Sequence, residues 1–143
     1  MPRLLRNILA LLAGIVVGSA VNMALILLSP LLIAPPAGVH VATAEGLRQG
    51  MHLFEPRHFV MPFVAHALGT FAGALAAYLI AANHKPALAY AIGVVFLCGG
   101  IAASLMVPAP KGFVVLDLLA AYLPMAWLAV QASSRMPFAK RSA

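Results

Sequence analysis

Charged residues interrupt this chain rarely, and at wide intervals. None lies between Arg6 and Glu45, between Arg57 and Lys85, or between Lys85 and Lys111. From Lys111 to Arg135 only Asp117 breaks the silence. Each gap holds an apolar run long enough to cross a bilayer, whose hydrocarbon core is about 30 Å thick and takes about 20 helical residues. The runs are continuous rather than alternating, so they read as helices and not as barrel strands. Lipid leaves no other way to satisfy the backbone. The pattern predicts an all-α, integral-membrane four-helix bundle in a single domain over 1–143. Its spans are 8–33, 59–82, 87–107 and 113–130.

The connections are unequal. Asn83-His84-Lys85-Pro86 and Pro108-Ala109-Pro110-Lys111-Gly112 are tight turns. The loop over 34–57 is long and contains both Glu residues. Pro35-Pro36 ends the first span, and Thr43 is placed to N-cap a short helix with Glu45 in its first turn. Leu47, Met51 and Phe54 then recur at i, i+4, i+7. This amphipathic stripe suits a helix lying on the membrane surface or covering the bundle. Residues 31–38 and 105–112 share a Pro- and Gly-rich ending, which is common turn chemistry rather than a repeat.

Basic residues set the orientation. Arg3, Arg6, Lys85, Arg135, Lys140 and Arg141 fall on one side of a four-span chain, and Arg48, Arg57 and Lys111 on the other. The richer side faces the cytoplasm by the positive-inside rule, which places both termini there. The start, Met1-Pro2-Arg3-Leu4-Leu5-Arg6, is signal-peptide-like. The apolar run behind it is longer than an h-region and reads as an uncleaved first span.

Composition agrees: 64% of the 143 residues are hydrophobic and 8% charged. The net charge of +6 does not indicate nucleic acid, because the basic residues flank apolar runs instead of forming a stripe. Cys98 is the sole cysteine, so an intrachain disulfide is excluded.

Two small-residue stripes stand out. Ala10, Gly14, Gly18 and Asn22 share one face of the first span, and Ala65, Gly69, Gly73 and Ala77 one face of the second. Such faces let helices approach closely in lipid, and these two are expected to meet, within one subunit or across a dimer. Polar residues gather toward the outer half of the spans. Asn22, His66, Thr70, Ser104 and Asp117 form a candidate pocket opening outward, with His66 and Asp117 its ionisable members. The competing expectation is that Asn22 bonds His66 while Asp117 pairs with Lys111. Pro62 sits early in its span, where a missing N–H matters little. Pro124 falls mid-span and should kink the fourth helix, freeing a carbonyl near Ala120.

No cofactor is expected. A haem would need two axial ligands at one depth, and only His66 lies well inside a span, so a single chain lacks the pair unless a dimer supplies both from His66. His40, His52 and His58 lack a zinc spacing. Ser19, Ser29 and Ser104 lack the setting of a nucleophile, so an enzyme is not expected.

Residues 13–22 (Ala-Gly-Ile-Val-Val-Gly-Ser-Ala-Val-Asn), His66-Ala67-Leu68-Gly69-Thr70 and His52-Leu53-Phe54-Glu55-Pro56 resemble those of small four-span bacterial inner-membrane proteins of unassigned function. The resemblance implies a bacterial inner membrane. Small multidrug exporters have a similar size and span count, but they carry a Glu in the first span, where this chain has Asn22. The leading expectation is a non-catalytic accessory or structural subunit, packing in the lipid bilayer against other membrane subunits or against itself as a homo-oligomer. The alternative is an oligomeric small-solute transporter or channel using the outward polar pocket.

Overall fold

The computed structural model describes residues 1–136. Those residues form α1 (Arg3–Leu32), α2 (Ala44–Gly50), α3 (Val60–Ile80), α4 (Lys85–Met106), α5 (Lys111–Ala120) and α6 (Leu123–Arg135), with 3₁₀ turns over Met51–Leu53 and Pro56–Phe59. Four segments are long and apolar enough to cross a membrane: Arg3–Leu32, Pro56–Ile80, Lys85–Met106 and Lys111–Arg135. The chain is a multi-pass membrane protein built as a four-helix bundle. Lys140 and Arg141, counted above for orientation, lie outside the described residues.

Helix α3 is central and touches α1, α4 and α6. Its glycine face meets that of α1 within the same chain. A Cβ added to Gly14 would stand 2.8 Å from the Gly73 carbonyl oxygen, and one added to Gly18 would stand 2.7 Å from that of Gly69. Ala10, Ala65 and Ala77 on the same stripes are fully buried. Lipid supplies no hydrophobic drive between helices, so association depends on backbones coming this close. Alanines also dominate the core between α3, α4 and α6, where Ala74, Ala89, Ala126 and Ala129 cluster around Ile92. Larger apolar side chains such as Leu12, Val16, Leu27, Val94 and Leu105 point outward.

Polar clamps hold the two ends. At the end carrying the α3–α4 turn, Asn7 Oδ1 accepts from the Ala82 N–H at 3.0 Å and Asn7 Nδ2 donates to Asn83 Oδ1 at 2.6 Å. Arg6 Nε donates to the Ile80 carbonyl at 2.7 Å. The clamp fixes a turn in which His84 adopts a left-handed conformation, φ 50°. The Asn83 N–H also reaches Asn7 Oδ1, at 3.5 Å; replacing Asn7 by Ala removes all these bonds and is expected to lower stability by about 1–2 kcal/mol. Unfolding the purified chain by SDS titration reads this out, and an unchanged midpoint would contradict it.

At the opposite end the long loop folds back over the bundle. Thr43 caps α2 as its position predicts, its hydroxyl oxygen accepting from the Gly46 N–H at 3.0 Å. Arg48 Nε donates to the Met106 carbonyl at 2.7 Å and ties α2 to the end of α4. Leu47, Met51 and Phe54 line a cavity together with α4 and α5 residues, so the stripe covers the bundle.

The fourth span departs from expectation. It is not one kinked helix over 113–130 but two helices separated at Ala121 and Tyr122. Helical bonding runs up to the Ala121 N–H on the Asp117 carbonyl and resumes with the Ala126 N–H on the Tyr122 carbonyl. Pro124 excludes the carbonyl four residues back and lacks an N–H. Both problems are relieved when Pro124 occupies the first turn of a new helix, as it does in α6. The break therefore precedes the proline.

Candidate functional site

The break in the fourth span builds the site. Tyr122 lies five residues after Asp117. On a continuous helix of 3.6 residues per turn the two would face about 140° apart. The irregular backbone at Tyr122 (φ −119°, ψ −80°) brings its hydroxyl back, and it donates to Asp117 Oδ2 at 2.8 Å. His66 reaches the same carboxylate from α3, with Nδ1 at 2.9 Å from Oδ1 and 3.0 Å from Oδ2. The His66 and Tyr122 rings are stacked, 5.9 Å between centroids. Gly100 of α4 makes room, since a Cβ there would collide with the Tyr122 hydroxyl. Asp117 is 4% exposed and Tyr122 2%. Side chains from α3 and from the break thus both bond one buried carboxyl group, which would be costly to bury without partners.

Asp117 therefore does not pair with Lys111, and Asn22 does not bond His66. Asn22 packs instead on Gly69, whose added Cβ would meet the Asn22 Cβ at 2.9 Å. The Asn22 Oδ1 is sealed from solvent with no donor among the described residues. A buried unpaired carbonyl costs about 1–3 kcal/mol, and folded chains keep few of them. Thr70 is 1% exposed and donates its hydroxyl to the His66 carbonyl at 2.8 Å. Ser104 donates to the Ile101 carbonyl at 2.7 Å, within its own helix.

Two adjoining cavities share His66 as a wall. One, of ≈ 240 Å³, lies under the long loop and reaches Ser104, His58 and Asp117. The other, of ≈ 210 Å³, lies deeper and reaches Asn22, Thr70, Tyr122 and Phe96. Gly100 and Ala103 border both. All five residues of the predicted polar pocket thus line this pair of cavities, Ser104 and Asp117 the first and Asn22 and Thr70 the second. The pocket is divided in two, with His66 on the dividing wall.

Comparison with known protein families, with curated proteins and with solved structures finds no match to this chain.

The histidine geometry defines roles. His66 Nδ1 donates to a carboxylate, which leaves Nε2 an acceptor in the neutral ring. Nε2 has no partner among the described residues, yet it is not sealed as Asn22 Oδ1 is. His58 is the converse. Its Nδ1 accepts from the Glu55 N–H at 2.8 Å, so the neutral ring carries its proton on Nε2. His40, His52 and His58 do not converge, and no three His, Cys, Asp or Glu side chains gather as a metal set among the described residues. Tyr122 was not singled out by the sequence, and His58 was weighed there only as a loop zinc ligand. The one signal for Tyr122 was Pro124, two residues later, marking a helix break.

Proposed function

We propose that this chain is a small-solute transporter whose binding site is the pair of cavities divided by His66. One observation carries the reading. The His66 ring is held rigidly by Asp117 through Nδ1, while Nε2 is left unpaired on a cavity wall. A purely structural histidine would close its hydrogen bonds within the protein. A group preorganised on one side and open on the other is arranged to meet a ligand. The broken fourth span beside it is the kind of discontinuous helix that lines midplane sites in transporters.

A packing subunit is less well supported. The glycine stripes that would recruit a partner helix are occupied by each other inside the chain. In the proposed setting, a bacterial inner membrane, the end bearing Arg3, Arg6, Lys85 and Arg135 faces the cytoplasm and the long loop faces outward. Solute then enters from the loop side, past His58 and Ser104, and reaches His66.

The test is thiol accessibility in sealed vesicles. With Cys98 changed to Ser, Thr70→Cys places a thiol on the deep cavity. A membrane-impermeant, water-soluble thiol reagent is expected to modify it from the loop side. No modification from either face would mean a dry helix contact and would end the transport reading.

A further inference from the structure

A further chamber of ≈ 570 Å³ lies between the end of α1, the long loop and the start of α3. It adjoins the cavity under the loop but does not reach His66. Its volume falls within the range of ligand clefts, about 300–1,000 Å³. The wall is mostly apolar, with Ile26, Leu47, Phe54 and Pro62 among its residues. Ser29 and His58 are its polar side chains, and no charged side chain borders it among the described residues. Met23 and Leu27 form one edge, and both are exposed on the lipid-facing side of α1. The chamber therefore opens sideways into the bilayer.

His58 gives this apolar space its chemistry. The residue is 7% exposed, and its ring stands edge-on to that of Phe54, 5.4 Å between centroids. Nδ1 is occupied by the Glu55 N–H, which fixes the ring proton on Nε2. That donor has no acceptor among the described residues, yet it is not sealed. The spaces His58 borders are this chamber and the cavity beside it. A buried donor without a partner is costly, and folded chains keep few of them. The partner it lacks is an acceptor that arrives with a ligand. A carboxylate or phosphate would enter without a counter-ion, and so would an ammonium, so the part that enters is uncharged. A bare alkane would leave the donor unpaired. His58 stands in the 3₁₀ turn Pro56–Phe59 that opens the second span. At that depth hydrocarbon gives way to headgroups, and there the carbonyls of ester lipids sit.

We propose that the chamber holds one acyl chain of an ester lipid, drawn from the leaflet on the long-loop side, with its ester carbonyl accepting from His58 Nε2–H. The chain fills the apolar wall and braces the long loop against α1. The site does not involve His66 and stands apart from the transport reading.

Thermal unfolding of the full chain in dodecyl maltoside micelles tests this. The added lipids share a phosphocholine headgroup and chain length: a dioleoyl ester lipid and its dioleyl ether counterpart, which lacks the carbonyls. A ligand that binds only the folded state raises Tm in a saturable way. The ester lipid is expected to do so, and the ether lipid to need at least several-fold more for the same rise. His58→Phe keeps a ring against Phe54 and removes the donor, and is expected to erase the preference for ester over ether. Ile26→Trp, which fills the chamber, is expected to abolish the saturable response to both lipids. In the unsubstituted chain, equal responses to the two lipids, or no saturable response to either, would overturn the assignment whether or not the variants fold. A preference that survives His58→Phe, or a response that survives Ile26→Trp, would place the lipid elsewhere and overturn it too. Labelling of Thr70→Cys is read separately, so the transport reading stands or falls without this result.

Discussion

Asp117→Ala is expected to destabilise the folded chain by about 2–4 kcal/mol, the largest polar effect in the molecule. The carboxylate accepts from His66 and Tyr122 in a site where it is 4% exposed. Its removal strands two donors at once, each costing about 1–3 kcal/mol when left unpaired. The sum is held down by the membrane reference state, in which an unfolded helix also finds partners, so that single interhelical bonds average about 0.6 kcal/mol. The ordering of variants is the sharper test. Tyr122→Phe strands no donor and should lose about 1 kcal/mol. Asp117→Asn keeps the shape and one good acceptor, and should fall between. SDS unfolding of purified protein gives the series. A loss below about 1 kcal/mol for Asp117→Ala would show that water replaces the carboxylate and that the network does not organise the bundle.

Gly73→Ala should do comparable damage by a different route, at about 1–3 kcal/mol. A methyl group at Gly73 would lie 2.6 Å from the Gly14 carbonyl oxygen and 3.2 Å from the Gly18 Cα. Both are backbone atoms, so no rotamer change relieves the clash. The α1–α3 seam must open along its length, and with it the packing of Asn22 on Gly69. Gly112 provides the comparison, since nothing stands within 4 Å of a Cβ there. Gly112→Ala should cost nothing, because Ala is the better helix former. Equal effects at the two sites would mean that helix propensity, and not the seam, sets the response.

Residues that act through composition or local spacing were legible in the chain. The small residues of α1 and α3 announced a close contact by their four-residue spacing. Thr43 announced a cap. Pro124 announced a disturbance, and the polar residues marked the region where the cavities lie. What failed was pairing. Asn22 and His66 share a depth, but depth says nothing about which way a side chain turns. Lys111 lay near Asp117 in sequence, but a lysine at a membrane surface gains more by staying in water. Asn7 was overlooked because a polar residue near a span end looks unremarkable until the turn it clamps is in place.

The four apolar segments and the long loop between the first two follow from the one-dimensional alternation of apolar runs and charges, because each helix in lipid must satisfy its own backbone within its own segment. The site is another matter. Tyr122 and Asp117 come together only because the helix breaks between them, and His66 joins them from a different span. Those contacts depend on the rotation of one helix against another, which is set by the shape of packed surfaces and leaves no local trace in the order of residues.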